Sequence, residues 1–247
     1  MKKICIVGIG NMGKAMWDIL SSDNEFELIG CEKEDDVNKK IEHAEVVILA
    51  VKPQSFSAMA EKIRVDLSNK LVISIMAGVG IERMCATLKT RKIVRTLPNL
   101  ALKVGQSSTV WKAGDYVSIE EKNLVKKILG RFGQEIEVET EEKIPIIGVV
   151  SGCGPGFIAY FGEKMAEFLG SKGVDPVEAE KIARQTLIGT GEVVKKNQWN
   201  LTDMRQKVSS KGGLTEAGVK IMEKEELGKI FKDVGEAALK RDKELNQ

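Results

Sequence analysis

Histidine is nearly absent: His43 is the single one among 247 residues. An imidazole-based zinc site or a Ser-His-Asp triad would have to rest on it, and no cysteine or histidine partner lies nearby in sequence. Cysteine is scarce as well. Cys5, Cys31, Cys85 and Cys153 are widely separated and show no paired metal-ligand spacing, so no metal is expected. Cys5 and Cys31 fall inside apolar runs, and the thiols read as reduced and buried, as in a cytoplasmic protein. Charge of one sign is not in excess either: 38 Lys and Arg stand against 36 Asp and Glu, a net +2. Without a basic stripe, nucleic acid is not an expected partner. Long apolar runs are missing too. Ile4–Val7, after Met1-Lys2-Lys3, is shorter than a secretory signal requires. No run approaches the ~20 apolar residues of a membrane helix. The chain is expected to stay in the cytoplasm and away from membranes.

What is present is a globular composition, 43% hydrophobic and 30% charged, which excludes disorder as the default. In the first half, short apolar runs alternate with helical patterns. Strands are expected at Lys2–Val7, Phe26–Cys31, Val46–Val51, Leu71–Ile75, Lys92–Leu97, Ser107–Trp111 and Glu135–Glu139. Helices are expected between them at Met12–Leu20, Asp36–Glu42, Gln54–Leu67, Ile81–Leu88 and Glu120–Phe132. Alternating βα units imply a mostly parallel sheet covered on both faces. The second half loses its strands. Phe157, Tyr160, Phe161, Met165, Phe168 and Leu169 share a helical face, and Leu227, Ile230, Phe231, Val234, Ala238 and Leu245 form a second stripe. Asp175-Pro176 reads as an N-cap with a first-turn proline. The expected organisation is an α/β Rossmann-type domain over residues 1–150 and an all-α domain over 151–247.

Gly8-Ile9-Gly10-Asn11-Met12-Gly13 follows the first strand and opens the first helix. In that context the spacing fits a dinucleotide loop: one glycine for the turn, one for close approach of a pyrophosphate, one for helix–strand packing. The helix start then offers free N–H groups and a positive dipole end. An acid at the end of the second strand completes the pattern by accepting from a ribose 2′-hydroxyl. Glu32 stands there and favours NADH, while adjacent Lys33 suits the 2′-phosphate of NADPH. The cofactor is expected to be NADPH or NADH, with both open. Lys52 and Pro53 lie just past a buried strand, at the edge where open α/β sheets bind ligands; a surface lysine at a strand end is the simpler reading of Lys52. Ser209–Thr215 is a polar loop before a helix, and its Gly212 and Gly213 allow a tight turn. It reads either as an anion site or as a plain capping turn.

Five further segments occur in a characteristic order: Ala50-Val51-Lys52-Pro53-Gln54, Ser74-Ile75-Met76-Ala77-Gly78-Val79, Arg95-Thr96-Leu97-Pro98-Asn99, Ser151-Gly152-Cys153-Gly154-Pro155 and Ser209-Ser210-Lys211-Gly212-Gly213-Leu214-Thr215. With the glycine loop they resemble the pyrroline-5-carboxylate reductase family across nearly the whole chain. The resemblance implies hydride transfer from NAD(P)H to a cyclic imine carboxylate, giving proline. It places Ala50, Val51, Lys52, Pro53, Ala77, Gly78 and Asn99 on the cofactor. It places Ser210, Lys211, Gly212, Gly213 and Leu214 around the substrate carboxylate, with Thr215 at the ring nitrogen. It also implies a homodimer through the helical domain, or a larger assembly of dimers. The sequence departs from the family pattern at Lys211 and Leu214 and in the short segment after Cys31. These departures leave two other readings open: a reductase of a related cyclic imine, and a non-catalytic dinucleotide-binding sensor or partner protein.

Overall fold

Six short runs rich in apolar and β-branched residues, and one alternating segment around Glu135-Ile136-Glu137, dictate the sheet. In a computed structural model, which describes residues 1–245, they form β1 (Lys2–Val7), β2 (Phe26–Cys31), β3 (Val46–Leu49), β4 (Leu71–Ser74), β5 (Ile93–Leu97), β6 (Ser107–Ala113) and β7 (Gly133–Glu137). Asn246 and Gln247, the end of the expected second domain, lie outside the described residues. Every expected strand is present, with ends displaced by at most two positions. The order across the sheet is β2-β1-β3-β4-β5-β6-β7. All pairs are parallel except β5 with β6. The chain between β5 and β6 carries only a short 3₁₀ turn, Leu100–Val104, too little for the crossover that a parallel neighbour needs.

Strand alternation sends side chains to both faces. Ile4, Ile6, Val46 and Ile48 pack on one side with Met16 and Leu20 of α1 (Asn11–Leu20) and Val125, Ile128 and Leu129 of α5 (Ile119–Gly130). Cys5, Val7, Val47 and Leu49 pack on the other with α2 (Val37–Glu42), α3 (Phe56–Ala60) and α4 (Ile81–Leu88). Each buried Ile, Val, Leu or Phe contributes roughly 1.5–3 kcal/mol of hydrophobic stabilisation. α6 (Lys143–Ser151) closes over β6 through Ile144, beside Val110 and Val138.

Two expectations are corrected. The helix expected over Gln54–Leu67 is only a 3₁₀ turn, Pro53–Ser55, followed by α3 ending at Ala60. Beyond it, Asn38 takes over the backbone: its carboxamide donates to the Lys62 carbonyl and accepts from the N–H groups of Arg64 and Val65. These bonds replace the helical ones, so the apolar spacing of this segment is satisfied without a helix. Second, Lys143–Ser171 is long and apolar enough by length and composition to cross a membrane, its most apolar 18 residues having a mean hydropathy of 1.6. It is α6 and α7 (Gly154–Ser171) read together, and the glycine-rich junction at Gly152–Gly156 hid their continuity in the sequence.

The chain divides into two compact units: Met1–Pro155 together with the chain from Ala238 onward, and Gly156–Ala237. The second contains most of α7, then α8 (Pro176–Asn197), α9 (Leu201–Val208), α10 (Leu214–Lys224) and the first half of α11 (Leu227–Leu245). Asp175 caps α8, accepting from Val177 and Glu178, as its sequence predicts. This unit buries little apolar surface of its own. Ala179 and Ala183 are its only fully buried apolar side chains among the described residues, whereas Tyr160, Phe161 and Phe168 are 60%, 46% and 60% exposed.

Candidate functional site

The parallel strands end together, and that common edge gathers the segments expected to hold the cofactor. Val7, Cys31, Leu49 and Ser74 terminate β1 to β4, and Leu97 terminates β5. The Gly8–Gly13 loop leaves this edge first. Gly8 has φ +100°, and its N–H donates to the Cys31 carbonyl at 2.9 Å. A Cβ at Gly8 would lie 2.8 Å from the Ala50 carbonyl oxygen, and one at Gly13 only 1.9 Å from that of Gly8. These two glycines are therefore required by the fold itself. Gly10 differs: a Cβ there would meet nothing within 4 Å. That open space faces the start of α1, which no side chain caps and whose first hydrogen bond runs from Lys14 N–H to the Gly10 carbonyl. A cradle that is bare at Gly10 and ends in an uncapped helix start fits a dinucleotide pyrophosphate.

The other edge residues divide by what they already do. Glu32 and Lys33 are exposed just past β2. Lys52 is exposed and caps the 3₁₀ turn in which Pro53 holds the first position. Ala77 is exposed, and Gly78 is buried with φ +71°, which a side chain would strain. Asn99 is committed to the protein. Its carboxamide accepts from Ala101 N–H at 2.8 Å and donates to the Ser151 carbonyl at 2.6 Å, while its N–H donates to Ser107 Oγ at 3.1 Å. Its side chain is thus a brace for the loop between β5 and β6.

The structure also shows a residue that the sequence did not single out. Glu141 Oε1 accepts from the Arg95 guanidinium and from the Ile81 N–H at the start of α4. It fastens the turn after Ala77-Gly78 to β5, the strand that leads to Pro98-Asn99. An arginine inside the apolar run Ile93–Leu97 was the available signal for such a partner.

In the helical unit, Ser209–Gly213 forms the turn between α9 and α10, and Leu214 and Thr215 open α10. Gly213 N–H donates to the Ser210 carbonyl at 2.9 Å, Gly212 has φ +72°, and a Cβ on Gly213 would lie 2.3 Å from Ser210 Oγ. Gly213 is the N-cap of α10 and supplies no side-chain cap. Thr215 and Lys211 are exposed, and Leu214 is 95% exposed. Ser209 Oγ is buried without a hydrogen-bond partner among the described residues. Glu216, also missed in the sequence, accepts from Gly212 N–H at 2.5 Å. That bond, then Lys220, holds its carboxyl below the usual range. Its position three residues after the N-cap is the capping-box spacing, which was the legible signal.

Comparison with known proteins agrees with this arrangement. Residues 141–245 match the family model described as pyrroline-5-carboxylate reductase dimerisation, and residues 33–78 match one described as NADP oxidoreductase coenzyme F420-dependent. The pyrroline-5-carboxylate reductase of Synechocystis sp. is 32% identical over 204 residues, covering 83% of this chain and 76% of the relative. That of Pasteurella multocida is 29% identical over 270 residues, covering 100% and 98%. Among solved structures, a pyrroline-5-carboxylate reductase from Coxiella burnetii superposes with a TM-score of 0.88 at 28% identity, covering 99% and 98%. The Plasmodium falciparum pyrroline carboxylate reductase with NADP bound gives 0.86 at 25% identity, covering 100% and 98%. The chain belongs to the pyrroline-5-carboxylate reductase family.

Proposed function

We propose that this protein reduces pyrroline-5-carboxylate to proline with NADH or NADPH. The observation that carries this reading is the pairing, in one chain of this family, of an open Gly10 cradle with an uncapped polar turn before α10. Gly8, Ile9, Gly10, Asn11, Met12 and Gly13 hold the pyrophosphate through backbone N–H groups. Ala50, Val51, Lys52, Pro53, Ala77 and Gly78 line the nicotinamide side, braced by Asn99. A bound reduced nicotinamide supplies the hydride.

Ser210, Lys211, Gly212, Gly213 and Leu214 receive the substrate carboxylate at the positive end of α10. Glu216 already engages the Gly212 N–H, so the substrate relies on the remaining donors of the turn and on the Lys211 ammonium. Thr215 contacts the ring nitrogen. Its hydroxyl has no activating partner among the described residues, so it orients the ring and does not act as a strong acid. The imine nitrogen enters protonated. Hydride addition at the imine carbon moves the C=N π pair onto nitrogen, leaving a neutral ring amine and oxidised dinucleotide. The protein's task is mainly alignment.

The same reading places residues 1–150 as the dinucleotide domain and 151–247 as the substrate and assembly domain, forming a homodimer in the cytoplasm. The homodimer is supported by the dimerisation match and by the exposed aromatic face of α7. The test is direct. Purified protein mixed with pyrroline-5-carboxylate and either cofactor oxidises it, seen as lost nicotinamide absorbance. Thr215→Val lowers kcat/KM by roughly tenfold to a hundredfold. No oxidation with either cofactor, despite measurable cofactor binding, overturns the proposal in favour of a dinucleotide-binding sensor.

A further inference from the structure

Glu32 is placed by the backbone with little freedom. Val7 and Cys31 pair in register at the tips of β1 and β2, and Gly8 N–H donates to the Cys31 carbonyl at 2.9 Å. The residue after Cys31 therefore stands beside the first turn of the phosphate loop. A tight turn fixes it further. Glu32 N–H donates to Asp35 Oδ2 at 2.8 Å, and Asp35 N–H donates back to the Glu32 carbonyl at 3.2 Å. Lys40 holds the same Asp35 carboxylate at 3.6 Å. The Glu32 side chain itself is exposed and makes no hydrogen bond or ion pair with any described residue. The position is built and its carboxylate is left unused.

The surrounding charge is one-sided. Within this turn Glu34, Asp35 and Asp36 join Glu32 against Lys33 alone. Lys39 and Lys40 follow on α2, with Lys40 engaged by Asp35. An ionised carboxylate can only accept hydrogen bonds, so it matches a ribose 2′-hydroxyl that donates. A 2′-phosphate offers acceptor oxygens and about two negative charges at neutral pH, and here it would meet further carboxylates.

We propose that Glu32 makes this protein prefer NADH over NADPH, by accepting from the adenosine 2′-hydroxyl and repelling a 2′-phosphate. The inference rests on the dinucleotide reading of the Gly8–Gly13 loop.

Titration of the purified full-length protein with NADH and with NADPH, read by nicotinamide fluorescence and without substrate, tests the proposal. NADH is expected to bind on the order of tenfold more tightly, or better. Glu32→Gln removes the charge at an exposed position and should shrink that ratio by about tenfold, chiefly by strengthening NADPH. Equal or tighter NADPH binding by the wild type overturns the proposal. So does an unchanged ratio in Glu32→Gln with a wild-type circular dichroism spectrum. Preferential NADPH binding with turnover would leave the reductase reading intact, whereas binding of neither cofactor would overturn both.

Discussion

The Arg95 guanidinium donates to Glu141 Oε1 at 2.8 Å inside the N-terminal unit, where the arginine side chain is 7% exposed and the glutamate 27%. The same oxygen accepts from Ile81 N–H at 2.9 Å. One carboxylate therefore neutralises a buried cation and caps a helix, and it joins the two segments that flank the expected nicotinamide pocket. Removing it strands Arg95. Glu141→Ala is expected to cost about 2–3 kcal/mol, below the usual range for a fully buried pair because Glu141 is partly solvated. Glu141→Gln, which keeps an acceptor for Ile81, should cost less. Urea unfolding of the three proteins checks the order.

The glycine loop separates fold from function. Gly13→Ala places a methyl against the Gly8 carbonyl, which cannot move aside, and should destabilise by at least about 3 kcal/mol. Gly10→Ala enters open space and should cost under about 1 kcal/mol as a poorer N-cap. Yet Gly10→Ala should weaken dinucleotide binding by on the order of tenfold or more, because its methyl occupies the cradle. Thermal melts and cofactor titrations run side by side measure both.

Assembly should be inseparable from stability in the helical unit, whose Phe161 and Phe168 are exposed in a single chain. A dimer or larger species is expected by sedimentation, with a melting temperature that falls on dilution. Phe161→Asp combined with Phe168→Asp should shift the population toward monomer. Unchanged sedimentation of that variant would place the interface elsewhere.

The cysteines should label unequally. Cys153 is exposed and Cys5 and Cys31 are buried, a correction to the expectation of uniformly buried thiols. An alkylating reagent should modify Cys153 in the native protein and the other two only on unfolding. Burial, and then the neighbouring Cys31, push the Cys5 thiol from 9.0 to about 12. Over that range the unfolded chain loses this proton while the folded chain keeps it, so the Cys5 contribution to stability falls as pH rises. Denaturation midpoints on either side of pH 9 should show the decline.

Much of this protein was legible in its residues. The period-two and continuous apolar runs determined seven strands, because a strand buried on both faces leaves no other solution for Ile4–Val7 or Val46–Leu49. The glycine spacing fixed the tight turn from β1 into α1, because Gly8 and Gly13 have no room for a Cβ. Local sequence could not show which polar groups meet across the fold. Asn38 ends the α3 region from 24 residues away, Glu141 finds Arg95 across 46, and Asn99 reaches Ser151 across 52. Such pairings depend on how strands and loops come together, and tertiary packing overrode the helical spacing of Gln54–Leu67 for that reason. The tertiary structure likewise decided that Asn99 braces its loop and that Glu32 stands beside Gly8 with no side-chain partner among the described residues, since a side chain's role is set by which partners already occupy it.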